Sequence, residues 1–181
     1  MTEFVTLDGV MEAPGGEPSH PHTGWVMDYE DDEQQEWKLQ ETLGSDLLLV
    51  GRVTYESFAG AWPTYEGVMA DKMNSMPKVV VSSTLTDPKW NNTTVLSGDV
   101  VAGVEELKAG DGGPIQVAGS CQLVHTLLEN GLVDELRLMV FPVTIGAGLR
   151  VFPDAQRKVP WRLDATRSFA SGTRVDTYHP A

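Results

Sequence analysis

The sequence has few of the features that mark secreted, membrane or nucleic-acid-binding proteins. Its single cysteine, Cys121, rules out a disulfide within the chain and favours a reducing compartment. No apolar run approaches the roughly 20 residues of a membrane span, and the first residues are acidic, unlike those of a signal peptide. Lysine and arginine number 13 against 26 acidic residues, and the net charge of −13 repels nucleic acids and anionic membranes. We therefore expect a cytoplasmic protein that binds neither.

What is present is an ordinary globular composition with a regular alternation of patterns. The 181 residues are 41% hydrophobic, which favours one domain over 1–181. Strand and helix patterns alternate as far as residue 143 and strands follow, which predicts an α/β fold with a mixed, mainly parallel sheet and antiparallel C-terminal strands. We predict a long loop over 11–24. Strands are predicted at 4–7, 46–50, 79–81, 93–96, 115–118, 136–143, 149–152, 161–167 and 172–178, and helices at 31–43, 53–59, 66–74, 101–108 and from 119 to about 130.

The most informative stretch is the apolar strand that ends at Gly51 and opens a helix. Backbone N–H groups at a helix N-terminus form an anion site. Arg52, the next residue, adds a planar cation suited to phosphate. The pattern favours a ligand that carries phosphate, although Gly51 could also serve only to form a turn and Thr54 only to cap the helix.

Two further junctions between strand and loop share this character. Ser82 and Ser83 follow the strand at 79–81, and Gly119 and Ser120 follow the strand at 115–118. Ligands of open α/β sheets bind beyond the carboxyl ends of the parallel strands, so one elongated ligand could reach all three junctions. Ordinary strand ends and a Ser120 helix cap are the alternative interpretation of each junction taken alone.

These motifs, in this order, resemble the dihydrofolate reductase superfamily. More closely, the chain resembles the reductase domain that forms the C-terminal half of the bifunctional riboflavin-biosynthesis deaminase-reductase. The resemblance implies a three-layer fold with helices on both faces of the central sheet, and a homodimer. The motifs that carry it are TLDG at 6–9, GRVTYES at 51–57, KVVVSS at 78–83, VAGS at 117–120 and GAGLRVFP at 146–153.

The resemblance also implies an NADPH site. Gly51, Arg52 and Thr54 would hold the pyrophosphate and the adenosine 2′-phosphate, and Ser82 and Ser83 would lie beside the adenosine and its 2′-phosphate. The pyrophosphate and the nicotinamide side would then be contacted by Gly119, Ser120, Cys121 and Gln122. The chain lacks the G-x-G-x-x-G fingerprint of a Rossmann fold.

The implied reaction is hydride transfer from NADPH to a small heterocycle of pterin or pyrimidine type, as in a 5-amino-6-(5-phosphoribosylamino)uracil reductase. The scarcity of cations argues against the ribosyl phosphate substrate of that enzyme. Trp25, Trp62, Phe141 and Gly146 are candidates for contacting the substrate.

A carboxylate early in the chain would assist proton transfer. Asp8 is our candidate, because its turn borders the pocket in relatives, while Asp28, Glu30 and Asp31 are alternatives. An Asp-Gly pair also simply makes turns.

Other chemistries find less support in the sequence. The zinc deaminase signature is absent, and His20 and His22 lack further ligands at metal-site spacing, so no metal is expected. A protein of the same fold that binds a nucleotide or small ligand without turnover is the alternative to a reductase.

Overall fold

The elements of the computed structural model follow the predicted alternation over the residues that the structure describes, 1–152, 154 and 158–181. Two 3-10 turns cover Met27–Tyr29 and Trp62–Thr64. The helices are α1 (Asp32–Leu43), α2 (Arg52–Ala61), α3 (Val68–Ser75), α4 (Val100–Ala109) and α5 (Cys121–Glu129). The strands are β1 (Thr2–Thr6), β2 (Leu47–Gly51), β3 (Lys78–Val81), β4 (Thr93–Leu96), β5 (Ile115–Val117), β6 (Leu136–Phe141), β7 (Trp161–Ser168) and β8 (Arg174–Pro180).

The described strands pair into two four-stranded sheets. One sheet has the order β4-β3-β2-β5 and is parallel throughout. The other has the order β1-β6-β8-β7, in which β1 and β6 are parallel while β8 is antiparallel to both of its neighbours. The α/β class, the parallel strands and the antiparallel C-terminal strands are thus confirmed, and the parallel set forms a sheet of its own.

The chain divides into two compact units. The first unit comprises Met1–Glu36 and Val133–Ala181, and the second comprises Trp37–Leu132, so that the division falls within α1. Each sheet lies in one unit, the mixed sheet in the first and the parallel sheet in the second. The single domain expected over 1–181 stays a prediction.

The core of the second unit explains why its strands read as continuous apolar runs. Strands of a parallel sheet covered on both faces have no polar side to show, and Leu48, Leu49 and Val50 of β2 are at most 1% exposed. Seven side chains form a buried cluster against which partly buried side chains of α2 and α3 pack, namely Leu48, Val50, Tyr55, Met73, Met76, Val80 and Trp90.

Several predicted boundaries are shifted by one or two residues, and two differences have a clear physical reason or change an element. The helix predicted to stop at Ala59 continues through Gly60 to Ala61, because an exposed glycine weakens a helix by only about 1 kcal/mol and does not end it. The strand predicted at 149–152 is a single antiparallel bridge between Val10 and Arg150. Pro153, the last residue of the motif at 146–153, lies outside the described residues.

Candidate functional site

The three predicted junctions meet at one edge of the parallel sheet in the second unit. β2 lies between β3 and β5, with Gly51 paired to Val81 and Leu49 to Val117. Because the three strands are parallel, the residues that follow them leave the sheet at the same edge. The structure therefore brings together the loops that carry Arg52, Ser82 and Ser120, at the edge where ligands of such sheets bind.

Gly51 and the loop before α5 approach each other too closely for any side chain at Gly51. The Gly51 amide donates to the carbonyl of Gly119 at 3.1 Å. A Cβ atom on Gly51 would lie 2.7 Å from Ser120 Oγ and 3.0 Å from Ser120 Cβ. Gly119 has a φ of 73°, which a glycine adopts without penalty, and the peptide bond between Gly119 and Ser120 is cis. Both glycines of the predicted site are thus required by the local geometry.

The hydroxyl of Ser120 caps a helix other than its own. Gly51 is the N-cap residue of α2 and has no side chain to offer. In its place, Ser120 Oγ accepts hydrogen bonds from the Thr54 amide and the Thr54 hydroxyl, both at 3.1 Å. Ser120 is also the N-cap of α5, but its side chain makes no cap bond there. The two helix starts are thereby joined, and the Thr54 amide already has a partner within the protein.

Arg52 begins α2 and is paired with an acidic residue one turn later. Its Nη1 atom donates to both carboxylate oxygens of Glu56, at 2.8 Å and 3.0 Å. The two side chains remain 45% and 52% exposed. Exposed pairs at this spacing contribute only about 0.3–0.5 kcal/mol, so a phosphate group could replace the carboxylate. Our sequence analysis did not single out Glu56, although its i+4 spacing from Arg52 was a readable signal.

The two serines after β3 differ in their surroundings. Ser82 is buried, and its hydroxyl accepts from the amides of Thr84 and Leu85 at 3.2 Å and 3.0 Å. Ser83 is exposed. The Ser82 hydroxyl thus organises the turn that ends β3, as the alternative interpretation proposed, while Ser83 is open to solvent. Contact of either serine with adenosine stays a prediction.

The start of α5 contains a thiol with a nearby imidazole. Cys121 is buried, and its Sγ atom lies 3.4 Å from Nε2 of His125. The i+4 spacing of His125 from Cys121 predicts this contact once the helix is known. Gln122, the next residue, is exposed at the first turn. Its contact with a cofactor stays a prediction.

Asp8 lies in the first unit and holds the loop that contains Gly146. Its Oδ1 accepts from the Thr6 hydroxyl at 2.6 Å, and its Oδ2 accepts from the Gly146 amide at 2.8 Å. These bonds, that from Thr6 most of all, lower the pKa of the Asp8 carboxyl. A carboxylate kept ionised in this way is a poor source of a proton, and the observed contacts give Asp8 a tethering role. The guanidinium of Arg150 adds hydrogen bonds to the carbonyls of Asp8 and Gly146.

Asp31, one of the alternatives to Asp8, caps α1. Its Oδ1 accepts from the amides of Glu33 and Gln34 at 2.9 Å and 3.0 Å, and Oδ2 accepts from the Ser171 amide. The bond from Gln34 contributes most to lowering the pKa of the Asp31 carboxyl. These hydrogen bonds explain the position of the Asp31 carboxylate by its capping role, with no need for a catalytic one.

Two of the proposed substrate contacts are core residues of the first unit. Phe141 is 0% exposed, and Trp25 is 4% exposed and meets the Phe141 ring edge-on at 5.3 Å between centroids. The indole nitrogen of Trp25 donates to the carbonyl of Glu12. Both rings belong to the core of this unit, and contact of either with a substrate stays a prediction. Trp62, in the second unit, packs edge-on against Phe58 and Tyr65 and is only partly buried.

The loop over 11–24 is anchored to the glycine-rich turn of its own unit. His20 is buried, with Nε2 donating to the carbonyl of Ala147 at 2.8 Å and Nδ1 accepting from the amide of His22. Glu12 accepts from the amide of Leu149 at 2.9 Å. Both contacts join sequence positions more than 120 residues apart, which is why the sequence analysis missed them.

The described part of the chain has neither a group of metal-ligating side chains nor a membrane-spanning helix. Outside the four undescribed positions, no three His, Cys, Asp or Glu side chains gather as a metal-binding group. None of the described helices is long and apolar enough to cross a membrane. The absence of a metal cofactor stays a prediction.

The arrangement of elements is that of dihydrofolate reductase. The dihydrofolate reductase of Enterococcus faecalis, solved in complex with NADP(H), superposes with a TM-score of 0.66 at 17% identity, covering 99% of this chain and 94% of that chain. A putative riboflavin biosynthesis protein from Shewanella sp. PV-4 gives a TM-score of 0.68 at 20% identity, with 99% and 97% coverage. These likenesses establish the fold class, an α/β protein with the dihydrofolate reductase fold.

The family follows from the sequence as a whole. The model of the RibD C-terminal domain matches residues 1–175, and the chain belongs to this family. The uncharacterized protein YyaP of Bacillus subtilis strain 168 is 29% identical over 182 residues, which cover 97% of this chain and 90% of that protein. The resemblance expected from the five motifs is thereby confirmed.

Proposed function

We propose that the protein is an NADPH-dependent reductase that acts on a small heterocycle of pterin or pyrimidine type. The observation that carries the proposal is the convergence of two helix starts with Arg52 at one edge of the parallel sheet. α2 begins after Gly51 and α5 after Ser120, and the two are joined by the Ser120 hydroxyl. Helix starts and an arginine are the donors that suit phosphate groups. Membership of the RibD C-terminal family supports a reductase-type fold.

The residues present fit a nucleotide with several phosphates. Arg52 would pair with a phosphate in place of Glu56, and the first turns of α2 and α5 would hold the pyrophosphate through backbone amides. Ser83, exposed at the end of β3, would lie beside the adenosine. NADPH, when bound, supplies the hydride. The part of these residues is to bind the nucleotide and to fix its orientation.

A binding protein without turnover is the second candidate, and one observation favours it. The Asp8 carboxylate accepts hydrogen bonds from Thr6 and from the Gly146 loop, and its pKa is lowered. A reductase needs a proton at the substrate, and this carboxylate is poorly suited to deliver one. NADPH oxidation measured with a panel of pterins and pyrimidines separates the two candidates.

The first test is a titration of the protein with NADPH and with NADH, followed by tryptophan fluorescence. We expect saturable binding with a preference for NADPH. We expect Arg52→Ala to weaken NADPH binding on the order of tenfold, since hydrogen bonds to charged groups are worth about 1.5–3 kcal/mol. Arg162→Ala is the matched control, because Arg162 is an exposed arginine of the other unit. Absence of binding by folded protein would contradict the proposal.

The remaining proposals concern the oligomeric state, the cellular location and the partners of the protein. We propose a homodimer, which the family resemblance implies, and a cytoplasmic location, which the single cysteine favours. Sedimentation at several protein concentrations tests the oligomeric state. We further propose that neither nucleic acids nor membranes are partners, because the net charge is −13.

A further inference from the structure

Glu56 places a negative charge where the proposed function requires a phosphate to bind. Both of its oxygens lie within 3.0 Å of Arg52 Nη1, and the two side chains are about half exposed at the start of α2. Glu56 engages only Nη1 of the guanidinium, so a phosphate that pairs with Arg52 comes close to the Glu56 carboxylate, whether it takes the place of that carboxylate or binds to the other N–H groups. Like charges at such short range repel even in a solvent-exposed setting.

The same carboxylate has the opposite effect on a ribose hydroxyl. A nucleotide with a free 2′-hydroxyl offers a donor, and acidic residues in nucleotide sites bind ribose hydroxyls in this way, while an arginine accommodates a 2′-phosphate. Arg52 favours the phosphate and Glu56 favours the hydroxyl. The two side chains therefore act against each other in the choice between NADPH and NADH.

The order of the pair along the helix makes Arg52 easy to release. A cation in the first turn lies at the positive end of the helix dipole, and the orientation with arginine before glutamate is the weaker one. The pair consequently holds the guanidinium in place without binding it tightly. An incoming phosphate breaks this weak ion pair at little cost, so the repulsion by the Glu56 carboxylate is the main effect that opposes its binding.

We propose that Glu56 is a specificity-determining residue, which reduces the preference for the phosphorylated nucleotide by occupying Arg52 and repelling the 2′-phosphate. The inference rests on the proposed function, because it assumes that a nicotinamide nucleotide binds at α2. It assigns to one exposed side chain a role that neither the fold nor the family membership specifies.

The test compares the ratio of NADH to NADPH dissociation constants in the wild type, in Glu56→Gln and in Glu105→Gln. Glu105 is an exposed glutamate of α4 in the same unit, so its variant makes the same change in net charge. We expect Glu56→Gln to tighten NADPH binding about fivefold. NADH binding should stay the same or weaken, and Glu105→Gln should leave the ratio unchanged.

The outcomes separate this inference from the proposed function. NADPH binding by the wild type with no change of the ratio in Glu56→Gln overturns the role of Glu56 and leaves the reductase proposal standing. An equal change in Glu105→Gln also overturns it, since the effect would then be general to the net charge. Failure of the wild type to bind either nucleotide overturns both. Thermal unfolding followed by circular dichroism verifies that each variant is folded.

Discussion

Lys78 is a buried lysine of the second unit, where burial makes its charged form unfavourable. Its side chain is 1% exposed, and its Nζ atom donates to the carbonyls of Asn74, Met76 and Asn91 at 2.8–3.1 Å. The ammonium also lies 4.3 Å from the centre of a Trp90 ring. These contacts favour the charged form, but burial works against it and lowers the pKa of Lys78 to about 8. The residue joins the end of α3 to the loop before β4.

We predict that Lys78 makes the protein more stable as the pH rises above 8. Its folded pKa of about 8 lies below the ordinary lysine pKa of 10.5, so the unfolded chain binds more protons between these values. The free energy of unfolding should therefore increase by about 1–2 kcal/mol from pH 7.5 to pH 9.5. Urea unfolding at several pH values measures this increase. The Lys78→Met variant should lose the increase. The control variant Lys72→Met, which replaces a partly exposed lysine of α3, should keep it.

The range ends at pH 9.5 because Tyr178 contributes with the opposite sign above it. Burial raises the pKa of the Tyr178 hydroxyl, which makes its folded form bind more protons at high pH. An equal slope in the wild type and in Lys78→Met would show that Lys78 titrates normally.

At the scale of elements, the sequence was most informative about strand ends and least informative about contacts between loops. Gly51 after an apolar run predicted both the end of β2 and the start of α2, since each depends on residues next to it in the chain. The cap of α2 joins Ser120 to Thr54, which are 66 positions apart in the sequence. No local sequence pattern predicts this contact. The helix end predicted at Gly60 was wrong because glycine is only a local signal against helix, and the helix-forming tendency of the rest of α2 outweighs it.

We predict that Ser120→Ala frays the start of α2 while the rest of the fold remains. The Thr54 amide loses its acceptor, and replacing a cap oxygen costs about 1 kcal/mol. Hydrogen exchange of the Thr54 amide should accelerate. The Ala102 amide of α4, which donates to the N-cap residue Asp99, should exchange as before. Ser83→Ala, which removes an exposed hydroxyl nearby, is the control for global stability.

Whether the exchange rate of the Thr54 amide changes decides between two explanations for a loss of stability in Ser120→Ala. A loss of stability with unchanged exchange at Thr54 would mean that Ser120 matters through its close packing against Gly51. In that case the hydroxyl would not serve as the cap that its geometry indicates.

For the whole molecule, composition and charge predicted more about the class of protein than about its contacts. The alternation of strands and helices was enough to indicate the α/β class, and five motifs in order indicated the family, because both depend on spacing along the chain. The division of the parallel and mixed strands into two units depends on pairing across long separations. The same limit hid the anchoring of the loop over 11–24 by His20 and Glu12.

The net charge of −13 leads to a prediction for the molecule as a whole. Repulsion among the excess carboxylates opposes the folded state, while several of the described ion pairs, such as Arg162 with Asp164, are exposed and contribute little. Salt screens both, but the repulsion acts over longer distances and dominates at low ionic strength. Raising NaCl from 20 to 300 mM should therefore increase the free energy of urea unfolding, on the order of 1 kcal/mol. KCl should act equally, because screening depends on ionic strength alone, and a decrease in stability with either salt would mean that the ion pairs outweigh the net charge.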